Sequence, residues 1–261
     1  MGLRKETWRI RGQELDLSEP VVMGVVNVTP DSFYDGGRYF PDLNTAIEGG
    51  IGMLEAGARI LDIGGESTRP GAKPVSADEE LRRVIPVISG LRERFPEAIL
   101  SVDAYKAKVA KEALAAGANI VNDISAGSLD DNLLPLIAKS DCGYVLMHMQ
   151  GTPNTMQNAP YYDDAVKEIS EFFERKLDEL ASLCIKLERV VLDPGIGFGK
   201  RVEDNLALLA RASEFQSSGR PMLFGVSRKS FLGEILKREV GERLPGTVAA
   251  NTLLLMQGAK I

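Results

Sequence analysis

Short apolar runs alternate with longer segments of helical periodicity along almost the whole chain. Seven of these runs end in chemically capable side chains. VVMGVV (21–26) ends in Asn27, and RILDIGG (59–65) in Glu66, Ser67, Thr68 and Arg69. AILSV (98–102) ends in Asp103, NIV (119–121) in Asn122 and Asp123, and GYVLM (143–147) in His148. VVL (190–192) ends in Asp193, and MLFGV (222–226) in Ser227, Arg228 and Lys229. Such a series predicts strands that deliver their C-terminal ends to one common site.

The intervening segments read as helices. Asn44 is placed to cap a helix bearing Ile47, Ile51 and Leu54. Ser76 and Glu79 form a capping box ahead of Leu81, Val84, Ile85 and Ile88. The Ala- and Lys-rich stretch 105–116 is helical by propensity. The longest helix is predicted from about Asp163 to Leu187, with Val166, Ile169, Phe173, Leu177, Leu180, Cys184 and Leu187 on one face. Residues 203–211, 229–238 and 246–257 supply further helices. Ahead of the first apolar run, Trp8 and Ile10, then Leu15 and Leu17, alternate with polar residues around Gly12, the pattern of a hairpin.

A short repeat accompanies this alternation. Gly57-Ala58-Arg59-Ile60, Gly117-Ala118-Asn119-Ile120 and Gly258-Ala259-Lys260-Ile261 each follow a helix and open a strand. Glycine suits the left-handed residue just past a helix end. Seven strands and a stub joined through helices predict one α/β domain over 1–261, an eight-stranded (β/α)8 TIM barrel with an N-terminal β-hairpin and an eighth strand cut off at the C-terminus. An open doubly wound sheet is the alternative, but reactive groups there would gather at one switch point.

Composition narrows the function. A chain of 261 residues with net charge -6 has no electrostatic footprint for nucleic acid or an anionic membrane. No run approaches a membrane span, and the opening MGLRKETW lacks the apolar core of a signal peptide. Cys142 and Cys184 fit neither a disulfide framework nor a metal site, and both are expected as buried thiols in a reducing compartment. A cytoplasmic protein is therefore expected.

The candidate chemistry sits at the strand ends. Asp103, Asn122 and Asp193 follow apolar residues on three different strands. A partly buried carboxylate needs donors to offset its desolvation, and a flat heterocycle with adjacent N–H and amino groups offers a matching fork. Capping of the following helices is the alternative role for each acid or amide alone. Residues 26–37 form a long polar loop suited to a lid, and 67–71 a second in which Arg69 can clamp a diphosphate or carboxylate. The Asn27 amide oxygen is a candidate ligand for Mg²⁺ beside diphosphate oxygens. Ser227 to Ser230 open a helix, where backbone N–H groups favour anions; Lys229 can neutralise a substrate oxygen or form a Schiff base. Residues 193–200 match neither phosphate-loop pattern, so Gly195, Gly197 and Gly199 are read as letting backbone pass close to a flat ligand, with Phe198 offering it a face. His148, the only histidine, is read as support for the pocket.

These strings resemble the motif series of the dihydropteroate synthase family: NVTPDSFYDGG (27–37), DIGGESTRPGA (62–72), SVDAYK (101–106), NDISAG (122–127), LMHMQGTPNTMQ (146–157), LDPGIGFGK (192–200) and GVSRKSFLG (225–233). The resemblance implies a TIM-barrel enzyme that joins the diphosphate ester of 6-hydroxymethyl-7,8-dihydropterin to p-aminobenzoate. It implies Asp103, Asn122, Asp193 and Lys229 around the pterin, Thr68 on the pterin diphosphate, and Asn27 helping to place Mg²⁺. It implies Arg69, Pro70, Phe198 and Ser230 at the p-aminobenzoate site, with Asp103, Lys229 and Arg69 catalytic. Loops 28–38, with Asp31, Ser32, Phe33 and Asp35, and 67–74 are expected to close over the substrates. Sulfonamides are expected to compete with p-aminobenzoate, and the active form is expected to be a homodimer. The family's last strand carries an Arg-x-His pair that binds diphosphate; the sequence stops at Ile261, just short of it, so a longer natural protein is expected, and without that pair weaker diphosphate binding and an unsatisfied barrel seam. Three other readings differ from this one. A catalytically silent binder would rest only on the missing Arg-x-His pair. A methyltetrahydrofolate-binding barrel serving a corrinoid partner has no use for the TRPG, NVTPDSF and SRKS strings, and a Schiff-base aldolase would rest on Lys229 alone.

Overall fold

The computed structural model describes residues 6–29, 43–68, 72 and 74–261. Strands β1 (Thr7–Ile10) and β2 (Gln13–Asp16) pair antiparallel through a turn at Arg11 and Gly12, as the alternation predicts. Six parallel strands follow in sequence order, each hydrogen-bonded to the next: β3 (Met23–Asn27), β4 (Ile60–Gly64), β5 (Ile99–Asp103), β6 (Ile120–Asp123), β7 (Gly143–Met147) and β8 (Val190–Asp193). The helices between and after them are α1 (Leu43–Glu55), α2 (Ala77–Arg94), α3 (Ala107–Ala115), α4 (Leu133–Lys139), α5 (Ala165–Ser182), α6 (Val202–Ala210), α7 (Ser230–Leu236) and α8 (Leu244–Met256).

The sheet curls into a ring. Leu223 N donates to Leu192 O at 2.8 Å, and Lys260 N to Met222 O at 3.0 Å. Val21 N then donates to Lys260 O at 2.8 Å, which returns the ladder to the entry of β3. An open doubly wound sheet is thereby ruled out. The predicted strand at 222–226 is reduced to a single bridge, Leu192 to Met222: residues 221 and 223 bond to Leu192, while 222 and 224 bond to Lys260 and Ile261. The expected gap at the seam is closed by hydrogen bonds at the level of residues 21 and 260.

Two apolar layers hold the ring. One packs the outward strand residues, among them Leu61, Ile63, Val102, Leu146 and Leu192, against the helices. The other fills the lower interior: Ile60, Ile99, Ile120, Val145 and Val191 meet Trp8, Ile10, Leu15 and Leu17 of the hairpin. Trp8 is completely buried, and its Nε1 donates to Arg189 O at 2.7 Å, so the largest apolar side chain also has its polar tip satisfied. The hairpin is thus a plug at the N-terminal end of the barrel.

The three Gly-Ala repeats behave alike. Gly57, Gly117 and Gly258 take φ of +106°, +114° and +91°, and each following alanine N–H donates back to a carbonyl of the helix just ended. Other expectations need correction. Asn44 lies inside α1 and does not precede it. Ser76 caps α2 through Glu79 N, but the Glu79 carboxylate pairs with Arg82 and Arg83 and does not complete the box. Helix α5 starts at its Asp164 cap and ends at Ser182. Cys184 then turns left-handed (φ +60°) and is exposed, so neither it nor Leu187 continues the apolar face. Cys142 is buried as expected. Helix α4 is too short to show a period in the sequence. Among the described residues, no helix is long and apolar enough to cross a membrane.

Candidate active site

The polar residues gather at the C-terminal ends of the strands. Parallel pairing sets Asn27, Gly64, Asp103 and Asn122 in one register across β3 to β6. A Cβ placed on Gly64 would lie 3.4 Å from Asp103 Oδ2 and 3.5 Å from Asn27 Oδ1, so both oxygens look over that glycine. Asp193 ends β8 opposite Met147.

Beneath this rim lies a carboxylate that the sequence reading missed. Asp62, at the centre of β4, is 4 % exposed and accepts from Asn122 Nδ2 at 2.8 Å. That bond commits the amide nitrogen of Asn122 downward and leaves its oxygen to the rim. Ser101, the β5 neighbour of Asp62 in register, faces it without forming a complete hydrogen bond. An acid inside the run RILDIGG reads as a fault in a strand; its inward parity with Ile60 was the available signal.

Electrostatics follow from this crowding. Burial, with help from Asp62, Glu80, Asp123 and Glu66, holds the Asp103 carboxyl well above the ordinary range. Burial also raises Asp62, against the Asn122 hydrogen bond and the facing Ser101 hydroxyl. Asp193 is raised by burial, and Lys229, the Gly195 N–H and Lys200 oppose that shift. Gly195 N donates to Asp193 Oδ1 at 2.7 Å. Lys229 is depressed to about 8 by desolvation, although Asp193 works to keep it charged. Its Nζ donates to Ile196 O and lies 4.9 Å from the centre of the Phe198 ring. Asp193, Lys229 and Phe198 therefore form one wall, and Asp103 with Asn122 another.

The loop after β8 packs along the end of β7. Gly195, Gly197 and Gly199 all have positive φ, of +68°, +83° and +63°. A Cβ on Gly195 would sit 2.1 Å from His148 O, and one on Gly199 2.5 Å from Gln150 O. Gly195 and Gly199 therefore admit close passage of the protein's own backbone, whereas a Cβ on Gly197 would meet only the Lys229 side chain, at 3.5 Å. His148 is buried, edge-on to Phe172 at 4.8 Å, and supports the pocket as anticipated.

Thr68 is half-buried at the end of the segment after β4, and Ser230 is exposed at the first turn of α7. Arg69, Pro70, Asp31, Ser32, Phe33 and Asp35 lie outside the described residues. Asp123, grouped with Asn122 by sequence, turns away: it accepts from Ser125 N, Ser125 Oγ, Gly127 N and Tyr144 Oη and ties down its own loop. Lys106 bridges Glu66 and Glu80 beneath the segment leading to Thr68.

A plugged β/α barrel whose rim carries two desolvated acids, a pre-oriented amide and a lysine defines a class: a barrel enzyme built to grip a flat, donor-rich ring. The family model described as "Pterin binding enzyme" matches residues 23–261. Dihydropteroate synthase of Escherichia coli K12 is 47 % identical over 251 residues, spanning 96 % of this chain and 88 % of that protein. A Yersinia pestis dihydropteroate synthase solved with a sulfonamide drug superposes with a TM-score of 0.92 at 46 % identity, covering 98 % of this chain and 92 % of that one. A Xanthomonas albilineans dihydropteroate synthase in complex with 7,8-dihydropteroate does so with a TM-score of 0.83 at 38 % identity, covering 97 % and 90 %. The chain belongs to the pterin-binding enzyme family, among the dihydropteroate synthases.

Proposed function

We propose that this protein condenses 6-hydroxymethyl-7,8-dihydropterin diphosphate with p-aminobenzoate, giving 7,8-dihydropteroate and diphosphate. The observation that carries the reading is the Asp62-anchored Asn122 beside Asp103, with Asp193 facing Lys229. Relatives solved with 4-aminobenzoic acid, with 7,8-dihydropteroate and with a sulfonamide support the same substrate pair.

In this reading Asp193 and Asp103 accept from the ring N–H and amino donors, and the Asn122 oxygen takes a third. The bond from the pterin methylene to the diphosphate oxygen breaks, and the electron pair leaves with the diphosphate. Lys229, as an ammonium, offsets charge at the ring edge. The aniline nitrogen then forms the new C–N bond and loses a proton. Thr68 contacts the diphosphate, and Arg69, Pro70, Phe198 and Ser230 seat p-aminobenzoate. A site that excludes water protects the electrophilic methylene from being trapped.

Among the described residues, no cluster of three acid, histidine or cysteine side chains could cage a metal. Asn27 offers one neutral oxygen at the rim, which fits an Mg²⁺ that keeps water and substrate phosphates as its main ligands. When bound there, Mg²⁺ would lower the cost of diphosphate departure. A homodimer is proposed on the exposed apolar side chains of α7 and α8, including Ile235, Leu244, Val248 and Met256. Turnover of the two substrates, with inhibition by a sulfonamide competitive with p-aminobenzoate, tests the activity. No dihydropteroate under saturating substrate and Mg²⁺ would refute it.

A further inference from the structure

The loop after β8 has three left-handed glycines and one internal backbone bond, Phe198 N to Gly195 O at 3.0 Å. Its other tethers come from outside. Gln157 Nε2 donates to Gly197 O at 2.9 Å, Tyr162 Oη to Gly199 O at 3.0 Å, and Gly197 N to Asn205 Oδ1 at 2.7 Å. The carbonyl of Phe198 itself accepts from Lys200 Nζ at 3.0 Å.

Lys200 is 4 % exposed, an unusual site for a lysine. Its Nζ also meets His148 Nδ1 at 3.1 Å and His148 O at 3.4 Å, so one amine ties the end of β7 to the loop beyond β8. The histidine is a fixed partner. Burial and the adjacent Lys200 push its pKa to about 2, which keeps the ring neutral and Nδ1 available to accept. Burial also depresses Lys200 to about 7, and Asp193 opposes that shift. Maintaining such a group is costly, and the bonds it makes converge on the backbone that carries the Phe198 ring.

We propose that Lys200 is a positioning residue for the aromatic amine substrate: by gripping the Phe198 carbonyl against the end of β7, it fixes the ring that this substrate lies against. It touches no reacting atom. The inference rests on the proposed synthase reading. Absence of wild-type turnover defeats that reading, whereas the comparisons below address Lys200 alone.

The experiment is steady-state kinetics of the full chain for wild type, Lys200→Met, Lys200→Gln, Phe198→Ala and the Lys200→Met/Phe198→Ala double variant. For Lys200→Met the expected result is a rise of about tenfold or more in KM for p-aminobenzoate, with KM for the pterin diphosphate within about twofold. Lys200→Gln, which keeps a donor, should recover part of the loss. In the Phe198→Ala background, Lys200→Met should add less than about twofold, because the ring it positions is already gone. Parallel rises in both KM values, full additivity in the cycle, or failure of both single lysine variants to fold would each overturn the proposal.

Discussion

Replacing Asp193 by Asn tests the pterin grip at one atom. In the wild type one carboxylate oxygen accepts from Gly195 N at 2.7 Å, and the other is free to face the ring. Asparagine can keep the first bond through its amide oxygen, so the loop should hold. The second position becomes an N–H₂ group that meets the donors of the ring head-on. The loss is one charge-assisted hydrogen bond, ~1.5–3 kcal/mol, or about 10- to 150-fold in affinity at 1.4 kcal/mol per decade. Titration calorimetry with 6-hydroxymethylpterin measures it directly. A second consequence follows from charge. Asp193 is the anion that supports Lys229 as a cation, so its removal should move the lysine below its value of about 8. The alkaline limb of kcat/KM should shift to lower pH in the variant. Unchanged pterin affinity would refute the placement of Asp193 at the ring, whatever the pH profile does.

Other outcomes are equally specific. In the wild type, kcat/KM should decline as pH rises through about 8, because Lys229 then loses its charge, and a Lys229→Met variant should lack that limb. Asp62 is raised by burial, so the folded form holds its proton more tightly than the unfolded chain does. Its ionisation therefore costs stability as pH rises above the unfolded carboxylate value, and Asp62→Asn should raise Tm at pH 7.5 while weakening pterin binding. Gly195→Ala should fail to fold or lose several °C of Tm, since its Cβ would meet His148 O at 2.1 Å in a left-handed residue. Trp8→Ala should cost ~3–5 kcal/mol in denaturant unfolding, and wild-type tryptophan emission should report the plug, since Trp8 is the only tryptophan.

The strand ends were legible because each polar cluster follows a run of apolar residues, and in a parallel ring such positions share a rim. Asp103, Asn122, Asp193 and Lys229 were found in that way. Asp62 was not, because an acid within an apolar run carries no local sign of which neighbour will satisfy it; the donor is sixty residues away on another strand. Asn122 and Asp123 both follow the apolar run of β6, and strand alternation turns Asn122 to the rim and Asp123 into its own loop. The end of α5 was misjudged because apolar spacing ran on through Cys184 to Leu187, while the chain had already turned left-handed. Lys200 received no role from the sequence once the phosphate-loop patterns failed, and only the packed structure gives it His148 for a neighbour.

The hairpin plug divides every barrel strand into two provinces. The first residues are spent on oily contact with Trp8 and Leu17, and the last on chemistry, with little overlap between them. A variant library aimed at heat resistance can therefore be confined to the lower storey, leaving drug and substrate response untouched above it.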